Sequence, residues 1–135
     1  MEKWKRNKLM NQIHQEDKSA GRLVNLSAIE QLISSGADVN AKDAFGSTAL
    51  MMASSNGQKA VVEMLISAGA DVNERDNGGM TALHSTAENA NVSIAEILIS
   101  AGADLKIRNK EGMTALDLAK MWQGFRYPIV VALGG

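Results

Sequence analysis

Asp43-Ala44-Phe45-Gly46-Ser47-Thr48-Ala49-Leu50 returns as Asp76-Asn77-Gly78-Gly79-Met80-Thr81-Ala82-Leu83 and again as Asn109-Lys110-Glu111-Gly112-Met113-Thr114-Ala115-Leu116, each copy 33 residues after the last. A second marker keeps the same step: Gly36-Ala37-Asp38-Val39, Gly69-Ala70-Asp71-Val72 and Gly102-Ala103-Asp104-Leu105 also lie 33 residues apart. A period of this size means stacked units, none of which closes a core alone, so neighbours supply the stability and the product is an elongated array. Such an array presents a surface for binding rather than a closed pocket for chemistry.

Within one unit the signals follow in a fixed order. Asp-x-x-Gly marks a tight hairpin tip whose Gly46, Gly79 or Gly112 can take positive φ. Thr48, Thr81 and Thr114 then stand at a helix N-cap, ahead of an apolar-periodic run. Three residues on come Met51, His84 and Asp117; the last two can bond back to the cap as a capping box does, and Met51 cannot. First helices are expected over about 47–56, 80–89 and 113–122, and a turn at Gly57 or Asn89-Ala90-Asn91 leads into second helices. Their apolar stripes are Val61, Val62, Leu65, Ile66 and Ile94, Ile97, Leu98, Ile99. Gly36, Gly69 and Gly102 read as left-handed helix stops. The recurring Asp38, Asp71 and Asp104 point to repeated backbone hydrogen bonding rather than to a catalytic carboxylate pair.

The ends depart from the pattern. Ser27 to Gly36 is a second helix in register, but no Asp-x-x-Gly stands near Met10 to Gln15. The first unit is therefore expected to be a modified cap, a helix from Trp4 or Leu9 through Ala20 covering Ile29, Leu32 and Ile33. Downstream, Gly124-Phe125-Arg126-Tyr127-Pro128 replaces the usual turn, with Pro128 opening a short closing helix from Ile129 to Leu133. The whole reads as a complete array, capped at both ends.

Composition narrows the function classes. The chain of 135 residues is 45% apolar and 21% charged, fits one domain, and has only 4% aromatic residues, which suits short helices packed through Leu, Ile, Val, Ala and Met. Without cysteine there is no disulfide, thiolate catalysis or cysteine-bound zinc. No apolar run reaches transmembrane length, and the basic start lacks an apolar region behind it, so a cleaved secretory signal is not expected. Cytoplasmic residence follows as the expectation, with export lacking a cleaved signal left open. Residues 1–22 carry a net +3 within a total of −1, too little for a phosphate-tracking face. Interleaved aromatics are also missing, so nucleic-acid binding is not expected. His84 sits where a cap needs support and His14 has no nucleophile or carboxylate near it, so neither points to acid–base catalysis. Neither a cofactor nor a metal is called for.

Taken together, turn, cap, stripe and stop resemble the ankyrin repeat family over about residues 20–133, with full units at 43–75 and 76–108 flanked by two degenerate ones, 1–42 and 109–135. The resemblance implies a mainly α solenoid of about four stacked helix-turn-helix units joined by β-hairpin-like loops. Ala49, Ala82 and Ala115 replace the family's proline, a change that forgoes roughly 0.4–1 kcal/mol per site in unfolded-state restriction. Only His84 keeps the family's His, Lys106 replaces its Asn, and Ala90 its turn Gly, so 76–108 should be the softer of the two full units.

The resemblance further implies binding of a protein partner by a monomeric array, through hairpin tips and the groove-facing side of the first helices. By register that surface comprises Lys42, Ala44, Phe45, Ser47, Ser55 and Asn56 on the first step, Arg75, Asn77, Gly78, Met80, Glu88 and Asn89 on the second, and Arg108, Lys110, Glu111, Met113, Met121 and Trp122 on the third, with Phe45, Ser47, Arg75, Asn77, Met80, Glu88, Arg108, Lys110, Glu111, Met113 and Trp122 the favoured contacts. Phe45, Met80 and Met113 would form an exposed apolar stripe, the mark of an interface, unless they fold back on neighbouring tips. Trp122 fits either the groove or a cap packed with Phe125 and Tyr127. The reading is a non-catalytic interaction module; a small exported effector or immunity-type inhibitor that occludes one enzyme is the alternative. An artificial scaffold fits poorly with the irregular ends.

Overall fold

The computed structural model describes Leu9, Ile13 and residues 26–121 and 127–134. Seven helices follow one another among these residues: α1 (Leu26–Ser34), α2 (Ala49–Asn56), α3 (Lys59–Ser67), α4 (Ala82–Asn89), α5 (Val92–Ser100), α6 (Ala115–Met121) and α7 (Tyr127–Ala132). They form two layers. The first helices α2, α4 and α6 pack side by side, as do the second helices α1, α3, α5 and α7, and each first helix lies on the second helix of its own unit. No strand occurs among the described residues.

Each helix starts and stops where local chemistry directs. The Thr48 hydroxyl accepts the Met51 N–H at 3.3 Å, and the Thr81 hydroxyl accepts that of His84 at 3.4 Å. α3 closes at Ala68 with the double bond of a Schellman ending, Ala70 N–H to Leu65 O and Gly69 N–H to Ile66 O, both 3.0 Å; α5 repeats it with Ala103 to Leu98 and Gly102 to Ile99. Gly69 and Gly102 thus stand one position past the cap residue itself, with φ of 96° and 100°. Asp38, Asp71 and Asp104 each accept the N–H two residues on, at 2.9 Å, which confirms their turn-forming role.

The core lies between the layers. Val61, Val62 and Leu65 of α3 are fully buried, as are Ile94, Ala95 and Leu98 of α5. Ile66, Ile97 and Ile99, expected in the stripe, are only partly buried against it. Ile129, Val130 and Leu133 reproduce the same spacing in the last unit, 35 rather than 33 residues on, two more residues separating Ala115 from Ile129 than Ala82 from Ile94. Upstream, Leu9 and Ile13 occupy helical positions, are 1% and 0% exposed, and join the core that includes Ile29. The buried Gln58 amide also donates to Ile13 O at 3.0 Å. Of the cap helix expected from Trp4 or Leu9 through Ala20, only Leu9 and Ile13 are among the described residues.

Candidate functional site

A hairpin tip is organised by one side chain. Asp43 Oδ1 accepts the N–H groups of Phe45 and Ser47, both at 2.9 Å, while Asp43 N–H reaches Ser47 O at 3.0 Å. Asp76 repeats this with Gly78 and Met80, and Asn109 with Glu111 and Met113. The tips then bond to one another: Asn77 N–H donates to Phe45 O and Lys110 N–H to Gly78 O, each at 3.0 Å. Such close approach leaves no room for a β-carbon at Gly46, where it would meet Asn77 N at 2.9 Å, or at Gly79, where it would meet Lys110 N at 3.0 Å. Both glycines also hold positive φ, near 75°.

Side chains staple the tips and helices a second time. Lys42 Nζ donates to Arg75 O at 2.9 Å and pairs with Glu74 at 2.8 Å; one unit on, Arg75 Nη2 donates to Arg108 O at 2.6 Å. Arg108 instead turns back to Gly112 O at 2.7 Å and lies 3.7 Å from Asp117. Asn77 Nδ2 reaches Ala44 O at 3.2 Å, and Asn89 Nδ2 reaches Ser55 O at 3.1 Å. Asn40 clasps the next helix stop, donating to Gly69 O at 3.2 Å and accepting from Asp71 N–H at 2.7 Å; Asn73 does the same to Gly102 and Asp104.

Buried His84 is part of this framework. Its Nδ1 accepts Thr81 N–H at 3.1 Å, completing a capping box, and its Nε2 lies 2.9 Å from Met113 O in the next unit. A carbonyl only accepts, so the proton is on Nε2 and the ring is the neutral tautomer. Both nitrogens are committed to structure: the bond at the cap was expected from the sequence, and the one to Met113 was not. Asp117 plays the matching part for α6, taking Thr114 N–H at 3.0 Å and giving its own N–H to the Thr114 hydroxyl at 3.2 Å. The backbone N–H and hydroxyl of Thr114 hold its carboxyl below the ordinary 3.8, with Arg108 and Lys120 assisting.

These contacts sort the expected surface residues. Phe45 is exposed over 75% of its surface. Met80 and Met113 are not: both are half-buried and packed against the core, and Asn109 Nδ2 lies 3.3 Å from Met80 Sδ. The expected stripe of three exposed apolar tips is therefore one exposed phenylalanine and two methionines whose side chains pack against the core. Arg75, Arg108 and Asn77 are exposed, but their polar ends already serve carbonyls of the stack. Glu88, Lys110 and Glu111 are exposed and enter no ion pair among the described residues. Ser47 is half-buried. Trp122, Phe125 and His14 lie outside the described residues.

Between α2 and α4 the tips and helices enclose an open cleft of about 370 Å³, whose walls include Phe45, Ser47, Met51, Met52, Asp76 and Ser85, with Asp43 at the tip. Asp43, Asp76, Met51, Met52 and Ser85 were missing from the sequence-derived surface. Met52 and Ser85 share one register position and differ in character, a signal that could have marked them.

A family model of ankyrin repeats, in three copies, matches residues 19–109. The chain belongs to the ankyrin repeat family. No curated protein matches it. Ankyrin repeats are generally protein–protein interaction modules and are typically non-catalytic. Their stacked architecture is the one described above, with α2 to α5 and their tips inside the matched span and α6 and α7 beyond it. Among the described residues no helix is long and apolar enough to cross a membrane.

Proposed function

We propose that this ankyrin repeat chain is a non-catalytic adaptor or inhibitor that binds a protein partner through its hairpin tips and the concave side of α2, α4 and α6, and acts as a monomer in the cytoplasm without nucleic acid. Residues 1–42 and 109–135 serve as end caps around the repeats 43–75 and 76–108 within one domain.

One observation carries this reading. Positions that hold the stack repeat their chemistry from unit to unit: the tip acceptor Asp43, Asp76 and Asn109, the caps Thr48, Thr81 and Thr114, and the clasps Asn40 and Asn73. Positions that face outward from the tips change: Phe45, Gly78 and Glu111 occupy one register. A scaffold needs the first set alone, so the variation of the second is directed at something else. Phe45 is the residue to test, because an exposed aromatic ring is a favoured interface anchor and its removal leaves the tip bonds, which are made by backbone atoms, intact. Crosslinking capture from the native host should recover a protein with the wild type and lose it with Phe45→Ser at unchanged melting temperature. Equal capture by both would refute the concave-face reading.

A further inference from the structure

We infer that the cleft between α2 and α4 receives a short extended segment of a partner protein in which a bulky apolar side chain lies beside an arginine or lysine. This deepens the concave-face reading and rests on it.

The apolar requirement comes from Phe45, exposed at one lip, and from the Met51 and Met52 thioethers in the wall. Unbranched methionine side chains adapt their shape to an incoming group. The cationic requirement comes from Asp43 and Asp76, which line the same cleft while no lysine or arginine does. Each aspartate gives one oxygen, Oδ1, to two backbone N–H groups of its tip. Asn109 does that work at the third tip with a neutral amide oxygen, at 2.9 and 3.0 Å. The turn therefore needs the oxygen and not the charge, which makes the negative charge of Asp43 and Asp76 surplus to the fold.

Neither aspartate enters an ion pair among the described residues; Lys42 is paired with Glu74, and Arg75 is spent on Arg108 O. A purely apolar segment settling on Phe45 would strip water from two unpaired carboxylates, an unfavourable step. An acidic segment would be repelled as well, while a cation set next to the apolar group meets both needs at once.

The test uses immobilised hexapeptides carrying a bulky apolar residue next to Arg, with matched sets in which Glu or Gln replaces Arg. Wild type, Phe45→Ser and the double variant Asp43→Asn/Asp76→Asn are each measured for binding and melting temperature. Binding of the Arg set should exceed that of the Glu set, and the double variant should lose about threefold to tenfold on the Arg set, the range of two surface ion pairs. Phe45→Ser should weaken every set. Equal, Phe45-dependent binding of the Arg and Glu sets would overturn the charge inference and leave the concave-face reading standing. Binding indifferent to Phe45 would remove both, and no binding of any hexapeptide would overturn the inference. Should the double variant fail to fold, salt titration of the wild type decides: the Arg set's advantage over Gln must fall with salt, and a flat response overturns the proposal.

Discussion

The two full units, 43–75 and 76–108, share a backbone plan and differ in how each joint is secured. At the N-terminus of α2 the Thr48 hydroxyl caps alone, with Met51 three residues on; at α4 His84 answers Thr81 and then reaches across to Met113 O. At the turn between helices the first unit uses Gly57 at φ 73°, whereas the second holds Ala90 at φ 54°, the only non-glycine residue with positive φ among those described. The second unit then recovers something: Asn91 Oδ1 accepts Ile94 N–H at 3.1 Å, while Gln58 makes no such cap and donates instead to Ile13 O. Gln58 thus adds a tie from the first unit back to the start of the array, and His84 adds one from the second unit to the unit after it. Substitutions can probe these joints one at a time, and with them the expected softness of 76–108.

The largest effect is expected at His84. His84→Ala removes a buried ring with two structural bonds and strands Thr81 N–H, so urea unfolding should show a loss of roughly 2–4 kcal/mol. The reciprocal change, Met51→His, should install the missing capping box and gain about 1 kcal/mol. A loss below the effect of an ordinary surface substitution at His84 would break the contrast between the two units.

Next come the tips. Gly79→Ala faces both a left-handed backbone and the Lys110 N and Asn109 Cα atoms at 3.0 and 3.1 Å, whereas Gly112, at φ 79°, has nothing within 4 Å of its added carbon. Thermal unfolding should therefore rank Gly79→Ala at about 2–3 kcal/mol and Gly112→Ala at about 1 kcal/mol, since only backbone strain applies to the latter. Equal costs would mean that tip stacking adds nothing beyond the turn. Smaller again is the exchange at the inter-helix turn: Ala90→Gly should stabilise and Gly57→Ala should destabilise, each by about 1 kcal/mol. If Ala90→Gly brings no gain, the second unit tolerates its left-handed alanine without strain.

The smallest effect concerns acid. Because Thr114 and the neighbouring cations lower the folded-state value of Asp117, its charge stabilises α6 above the ordinary 3.8, and that contribution is lost as pH falls through the lowered value. Stability measured against pH should lose part of its acid slope in Asp117→Asn and keep its neutral-pH form. An unchanged slope would show that this surface cap does not couple to folding.

Much of this was legible in the sequence. The 33-residue step, the Asp-x-x-Gly tips, the Thr caps with His84 and Asp117 behind them, and the Gly-Ala-Asp stops are local signals, each made by residues within a few positions of one another. The candidate surface was legible only as a set of register positions. Register could not tell that Met80 folds inward while Phe45 stays 75% exposed, nor that Arg75 spends its guanidinium on Arg108 O.

The sequence by itself thus determined the repeat, its turns and its threonine caps, because hydrogen bonds spanning two to five residues follow from residue type and backbone preference; the first helices begin two residues later than expected, at Ala49, Ala82 and Ala115. Only the tertiary structure decided which polar and apolar side chains are used up in holding the stack and which are left over. Those contacts join atoms 29 to 34 residues apart in sequence, as in His84 to Met113 and Asn89 to Ser55, and depend on whether a side chain reaches the neighbouring unit. Asp43 and Asp76 show the consequence: the turn accounts for one oxygen of each, and in the assembled cleft, lined by no lysine or arginine, neither charge meets an ion-pair partner among the described residues.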